Sequence, residues 1–149
     1  MVVKKEDVEK SANIIIEIHN HIIDVSGGEK GVRDIEGLHH AIYEILEIID
    51  KTKEEPSFKI PAKIYLMFST RHYFIDGNKR TAHVLAKLNL LDQGYIFKIN
   101  YKTAVSFIIS IAANNKSITE IEYWIKASCD KCNINEYIND FKDDIENFD

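Results

Sequence analysis

The chain has 149 residues, 45% of them hydrophobic, which is enough for one domain of ordinary size with a single core. Its formal net charge of −5, from 19 Lys and Arg against 24 Asp and Glu, argues against a broad nucleic-acid surface, because phosphate binding needs clustered positive charge. The opening Met1-Val2-Val3-Lys4-Lys5-Glu6 lacks the apolar core of a signal peptide, and no later run approaches a membrane span, so a cytosolic location is expected, with no membrane partner.

From Lys5 to about Val25, Val8, Ala12, Ile15 and Ile22 recur at helical spacing, and Ser26-Gly27-Gly28 ends the pattern. His19 falls on the apolar stripe and reads as a satisfied core histidine. After Gly31-Val32-Arg33, the Asp34 carboxylate is placed to cap a second helix whose stripe is Leu38, Ala41, Ile42, Ile45 and Ile49. Glu47 and Lys51, four apart, belong to its solvated face.

Residues 52–59 are polar, charged and contain Pro56, which predicts a surface loop or short flap. Pro61 suits a first helical turn, and Ile60, Ile64 and Phe68 advance by fours so that His72 ends a buried stripe. A helix from near Asn78 to Leu91 is apolar on so many sides that it is expected at the centre of the core, with Gly94 ending it. Residues 95–99 look extended, and Asn100 can cap a mostly buried helix carrying Ala104, Val105, Phe107, Ile108, Ile109, Ile111 and Ala112.

Ser117-Ile118-Thr119-Glu120 is a capping box for a helix through about Lys126. Cys129 and Cys132 form a lone C-x-x-C, read as two ordinary thiols on a helix end, since a zinc site needs more ligands and a redox pair a βαβ context. The tail 133–149 alternates apolar and acidic residues and is read as one peripheral helix. The whole is expected to be a single all-α domain, 1–149, a compact helical bundle.

The chemistry concentrates in residues 72–80. An anion is suited to the start of a helix at Gly77-Asn78, where unpaired N–H groups point outward and glycine admits close approach. Lys79 and Arg80 add positive charge. Asp76 beside them is placed to hold Mg²⁺ together with substrate phosphates, and the His72 imidazole can accept the proton of an attacking hydroxyl at neutral pH. Base, metal ligand, anion cradle and cationic clamp make a phosphoryl-type transfer site. Taken singly, each residue has a plainer reading as a helix cap or turn, and Phe74 and Ile75 are read as core anchors.

The ordered string His72-Tyr73-Phe74-Ile75-Asp76-Gly77-Asn78-Lys79-Arg80 resembles the Fic/Doc signature His-x-Phe-x-Asp/Glu-Gly-Asn-Gly/Lys-Arg at every fixed position. Lys79, where typical Fic adenylyltransferases have glycine, and the following Thr81-Ala82 resemble the Doc (death-on-curing) branch. Ile18-His19-Asn20, Gly27-Gly28 and Gly31-Val32-Arg33-Asp34 extend the likeness upstream, so that it covers roughly residues 5–125. Tyr73 replaces the proline common in Fic proteins, and the tail is longer than a short Doc protein needs.

The resemblance implies an all-α fold in which His72 activates a target hydroxyl, Asp76 holds Mg²⁺, Gly77 and Asn78 form the anion hole, and Lys79 and Arg80 bind the phosphates of ATP. For the Doc branch it implies transfer of the terminal phosphate to a translation factor such as elongation factor Tu, a toxin's action. AMP transfer and a catalytically silent binding module are the alternatives. The inhibitory pattern Ser/Thr-x-x-x-Glu-Gly/Asn is missing, because Lys142 stands where Ser or Thr is needed before Glu146-Asn147. Restraint by a separate Phd-like antitoxin is therefore the expected arrangement.

Overall fold

The computed structural model describes residues 2–52 and 56–132, together with Asn135 and Ile138. Helix α1 runs over Lys5–Ser26 and stops at Gly27, whose positive φ of 88° releases the chain while its N–H still bonds the Ile23 carbonyl. Its fully buried positions are Val8, Ala12, His19 and Ile23, a stripe rotated slightly from the expected one, so that Ile15 and Ile22 are half-buried. Helix α2 spans Ile35–Lys51, and the Asp34 carboxylate caps it by accepting the Gly37 N–H at 2.9 Å. Leu38, Ala41 and Ile42 are buried, whereas Ile49 near its far end is exposed.

Helix α3, Lys59–Thr70, buries eight of its twelve residues, among them Ile60, Ile64, Tyr65, Met67 and Phe68. It packs against α4, Asn78–Asp92, more extensively than any other pair. The central place expected for α4 thus belongs first to α3: of α4, Asn78, Thr81, Ala82, His83, Ala86 and Leu90 are buried, with His83 meeting Tyr65 of α3, while Leu88 points outward. Burying a side chain the size of Phe68 contributes about 1.5–3 kcal/mol.

Strand β1, Tyr95–Phe97, pairs antiparallel with β2, Cys129–Lys131, with Phe97 opposite Cys129. The C-x-x-C therefore starts on a short strand and not on a helix end, and burial pushes the Cys129 thiol up to about 11, which makes it a poor nucleophile. Between the strands lie α5, Tyr101–Ala113, capped by Asn100 on the Thr103 N–H, and α6, Ile118–Ala127, closed by the reciprocal Ser117–Glu120 box. In α5 only Ala104, Ile108 and Ile111 are fully buried, and Ile109 and Ala112 face solvent, because the helix packs on one side only. Trp124 of α6 stacks on Phe107 and meets Phe97 and Tyr65 edge-on, joining α5, α6 and β1 to α3.

The expected flap lies partly at residues 53–55, outside the described residues; next to it, Ser57 exchanges two hydrogen bonds with the Gln93 side chain. Of the peripheral helix expected over 133–149, only Asn135 and Ile138 are described, both helical. The described fold is helical apart from this two-stranded ribbon and one isolated bridge, in agreement with the all-α expectation. Among the described residues no helix is long and apolar enough to cross a membrane.

One buried polar pair in this core has a pH signature. The Tyr65 hydroxyl lies 2.7 Å from His83 Nδ1, and burial is the main cause that lowers the His83 imidazole from 6.5 to about 4. The unfolded chain takes up that proton near pH 6.5 and the folded chain only near 4, so the His83 contribution is intact above 6.5 and lost as pH falls toward 4. Urea unfolding should show the difference in stability between wild type and His83→Gln shrinking by about 2–3 kcal/mol across that window.

Candidate active site

Helix α3 ends at Thr70, and Arg71 closes it with an N–H bond to the Met67 carbonyl. His72 follows with φ of 50°, a left-handed conformation uncommon outside glycine, and its side chain is exposed. The expectation that His72 ends a buried stripe is corrected here: helical spacing no longer applies once the chain has left the helix, and the ring turns to solvent. No hydrogen bond or ion pair engages it among the described residues.

The turn that follows is pinned from both sides. Tyr73 and Phe74 are buried, and the Tyr73 carbonyl accepts the N–H groups of Arg33 and Asp34 at 2.8 and 3.1 Å. Ile75 donates its N–H to the Gly31 carbonyl at 3.0 Å, completing a bridge between Val32 and Phe74. The Ile75 side chain is exposed, unlike the core anchor expected from its apolarity, because alternation along this extended piece sends it opposite to Phe74.

Asn78 closes the turn. Its Oδ1 accepts the Phe74 N–H at 3.0 Å and its Nδ2 donates to the Phe74 carbonyl at 2.9 Å, so the amide is spent on the backbone. What Asn78 offers outward is its own N–H. The first bond within α4 runs from Thr81 N to the Gly77 carbonyl, and the N–H groups of Asn78, Lys79 and Arg80 before it are the open donors of a helix start. Gly77, with φ of 77°, precedes them, and a Cβ there would stand 2.9 Å from Ile23, so the close packing of α1 against the turn calls for glycine.

Asp76 stands at the rim with a partly exposed side chain. Its Oδ2 accepts the Glu29 N–H at 3.2 Å and its Oδ1 accepts the Gly77 N–H at 2.8 Å. These two donors, ahead of the Arg80 charge, hold the Asp76 carboxyl below the usual carboxylate range, so it is ionised at neutral pH. Each of its oxygens keeps a further lone-pair site. The described residues contain no cluster of three or more His, Cys, Asp or Glu able to cage a metal. One ionised carboxylate beside an anion site fits Mg²⁺, which takes one or two protein carboxylates and completes its shell with phosphates and water.

The two cations differ. Lys79 is half-exposed, with no ion pair among the described residues. Arg80 bonds the Ser26 hydroxyl and, at 2.8 Å, the Gly27 carbonyl, capping the C-terminus of α1, and its Nη2 lies 3.6 Å from Asp76 Oδ1. Beside it opens a groove of about 310 Å³ lined by His21, Ser26, Arg80, His83 and Tyr101 among others.

Two contributors outside the motif were read in the sequence only as a core histidine and a helix end, and His19 is indeed buried and hydrogen-bonded; their link to Asp76 was not read. Gly28, at φ of 122°, lies so close that a Cβ there would sit 2.5 Å from Asp76 Oδ2, and His19 reaches the Asp76 backbone. His19 and Ile23 lie one helical turn apart on the buried face of α1, and Gly28 follows just after its end. Gly28→Ala should destabilise the fold by about 1–3 kcal/mol. It should also return the Asp76 carboxyl toward its ordinary value as the Glu29 N–H moves off; thermal unfolding and carboxyl NMR titration check both.

Fold and site together define a helical domain that presents the motif turn between α3 and α4. Residues 10–90, over half the chain and including the whole turn, match the model of the Fic/DOC family. The chain belongs to the Fic/DOC family. Proteins of this family generally transfer nucleotide or phosphate groups to other proteins. A search among curated proteins finds no match.

Proposed function

We propose that this chain is a Doc-type protein phosphotransferase that moves the terminal phosphate of ATP onto a hydroxyl of a translation factor, elongation factor Tu being the expected kind of target. The observation that carries this reading is Lys79, a half-exposed cation on the first turn of α4 with no ion pair among the described residues. In Fic adenylyltransferases glycine at that position leaves room for phosphates, whereas the lysine side chain fills it with bulk and charge. That favours the reversed placement of the nucleotide, with its terminal phosphate toward the turn.

In this reading the N–H groups of Asn78, Lys79 and Arg80 and the Lys79 ammonium bind the phosphates, and Asp76 holds Mg²⁺. The metal, when bound, neutralises charge on the phosphate oxygens. His72 accepts the proton of the target hydroxyl as that oxygen forms its bond to the terminal phosphorus. The bond from this phosphorus to the bridging oxygen breaks, and ADP leaves with the electron pair. The exposure of His72 suits a base that must meet a hydroxyl on a macromolecule.

Blocking translation would make the protein a toxin, with a Phd-like antitoxin as its partner. Incubating the chain with a translation extract and either α- or γ-labelled ATP tests the reaction. Retention of the γ label on a protein supports phosphate transfer. Retention of the α label would replace it by AMP transfer, and retention of neither would leave a binding module.

A further inference from the structure

We propose that His19, on α1 and outside the motif, is a positioning residue that aims the Asp76 carboxylate by hydrogen-bonding the Asp76 backbone. The inference rests on the reading of Asp76 as the residue that holds Mg²⁺, and it adds the element that keeps Asp76 in place.

His19 is fully buried, and its Nε2 lies 2.6 Å from the Asp76 carbonyl oxygen across 57 residues of sequence. A carbonyl only accepts, so Nε2 carries the proton and donates. Nδ1 has no partner among the described residues. The same ring stacks on Phe74 with centroids 3.9 Å apart and planes 7° from parallel. One side chain thus holds the motif turn at Phe74 and at Asp76.

A residue needed only to fill the core would serve without polar atoms, since burying a polar group costs free energy unless a hydrogen bond offsets it. Here the one polar contact of the ring goes to the peptide between Asp76 and Gly77. Fixing that carbonyl fixes the rotation of the peptide and with it the Gly77 N–H, which bonds Asp76 Oδ1. The ring packs closely on this peptide: a Cβ on Gly77 would stand 3.5 Å from Nε2 and 2.9 Å from Ile23. Freed of His19, the peptide can turn, and the carboxylate loses its aim.

The test separates the donor from the shape. His19→Phe keeps a stacking ring and removes the donor, whereas His19→Gln places an amide N–H where Nε2 stood. Two readouts on the full-length chain are used: the Mg²⁺ midpoint for binding of a fluorescent ATP analogue, and amide hydrogen exchange at Gly77 and Glu29 without nucleotide. His19→Phe should raise the midpoint about tenfold to hundredfold, the range typical when a partner of a metal ligand is removed. It should also speed exchange at both amides, and His19→Gln should recover most of each effect. Should the phenylalanine variant not fold, His19→Asn, whose amide overlays Nδ1 instead of Nε2, takes its place with the same expected losses. Unchanged exchange in the variant lacking the donor, or equal effects in the Phe and Gln variants, overturns the proposal. Wild type that binds the analogue without regard to Mg²⁺ defeats the metal reading of Asp76 instead, and the exchange data still decide the role of His19.

Discussion

His72→Ala is expected to lower transfer of the γ label by about two to four orders of magnitude, the usual contribution of a general base. The same change should leave stability within about 0.5 kcal/mol of wild type, as befits an exposed side chain away from any packed feature. The two expectations together discriminate. His72 is exposed, makes no hydrogen bond among the described residues and lies in a left-handed conformation, so nothing in the packing of the fold calls for an imidazole there. Lost transfer with unchanged stability would assign His72 a chemical role. Labelled transfer and thermal unfolding of the same preparation check it, and a variant that transfers phosphate at the wild-type rate would remove His72 from the mechanism.

Asn78→Ala should act the other way, on the fold first. The substitution leaves the buried N–H and carbonyl of Phe74 without their partners, at about 1–3 kcal/mol for each orphaned group. A total near 3 kcal/mol corresponds to a fall of about 6–12 °C in thermal midpoint for a chain of this size. Asn78→Asp is no remedy, because a carboxylate accepts from the Phe74 N–H but repels its carbonyl. Both variants should also lose transfer, since Phe74 carries the turn between His72 and Asp76. A melting curve unmoved by Asn78→Ala would show that the amide does not hold the turn.

Much of the architecture could be read beforehand because its causes are local. Asp34, Asn100 and the Ser117–Glu120 box each satisfy donors three residues away, and each begins a helix where expected. Periodicity placed α1 to α6, since an apolar stripe repeats within four residues. It failed where an element packs on one side only, as α5 does, or where the chain leaves the helix, as at His72. Composition misled at Ile75 and at the C-x-x-C, whose surroundings come from segments far away.

The motif string by itself determined that an imidazole, a carboxylate, a helix start and two cations lie on one turn, because nine consecutive residues can be nowhere else. Only the tertiary structure decided what each of them does there. The Asn78 amide turns inward to Phe74, Arg80 caps a helix that ends 54 residues earlier in the chain, and Lys79 makes no ion pair among the described residues. Asp76 takes its direction from Glu29, Gly28 and His19. The physical reason is range: caps and stripes are set by neighbours within one helical turn, whereas the occupancy of a donor or acceptor depends on whichever distant group the packing of α1 against α4 brings within 3 Å or so.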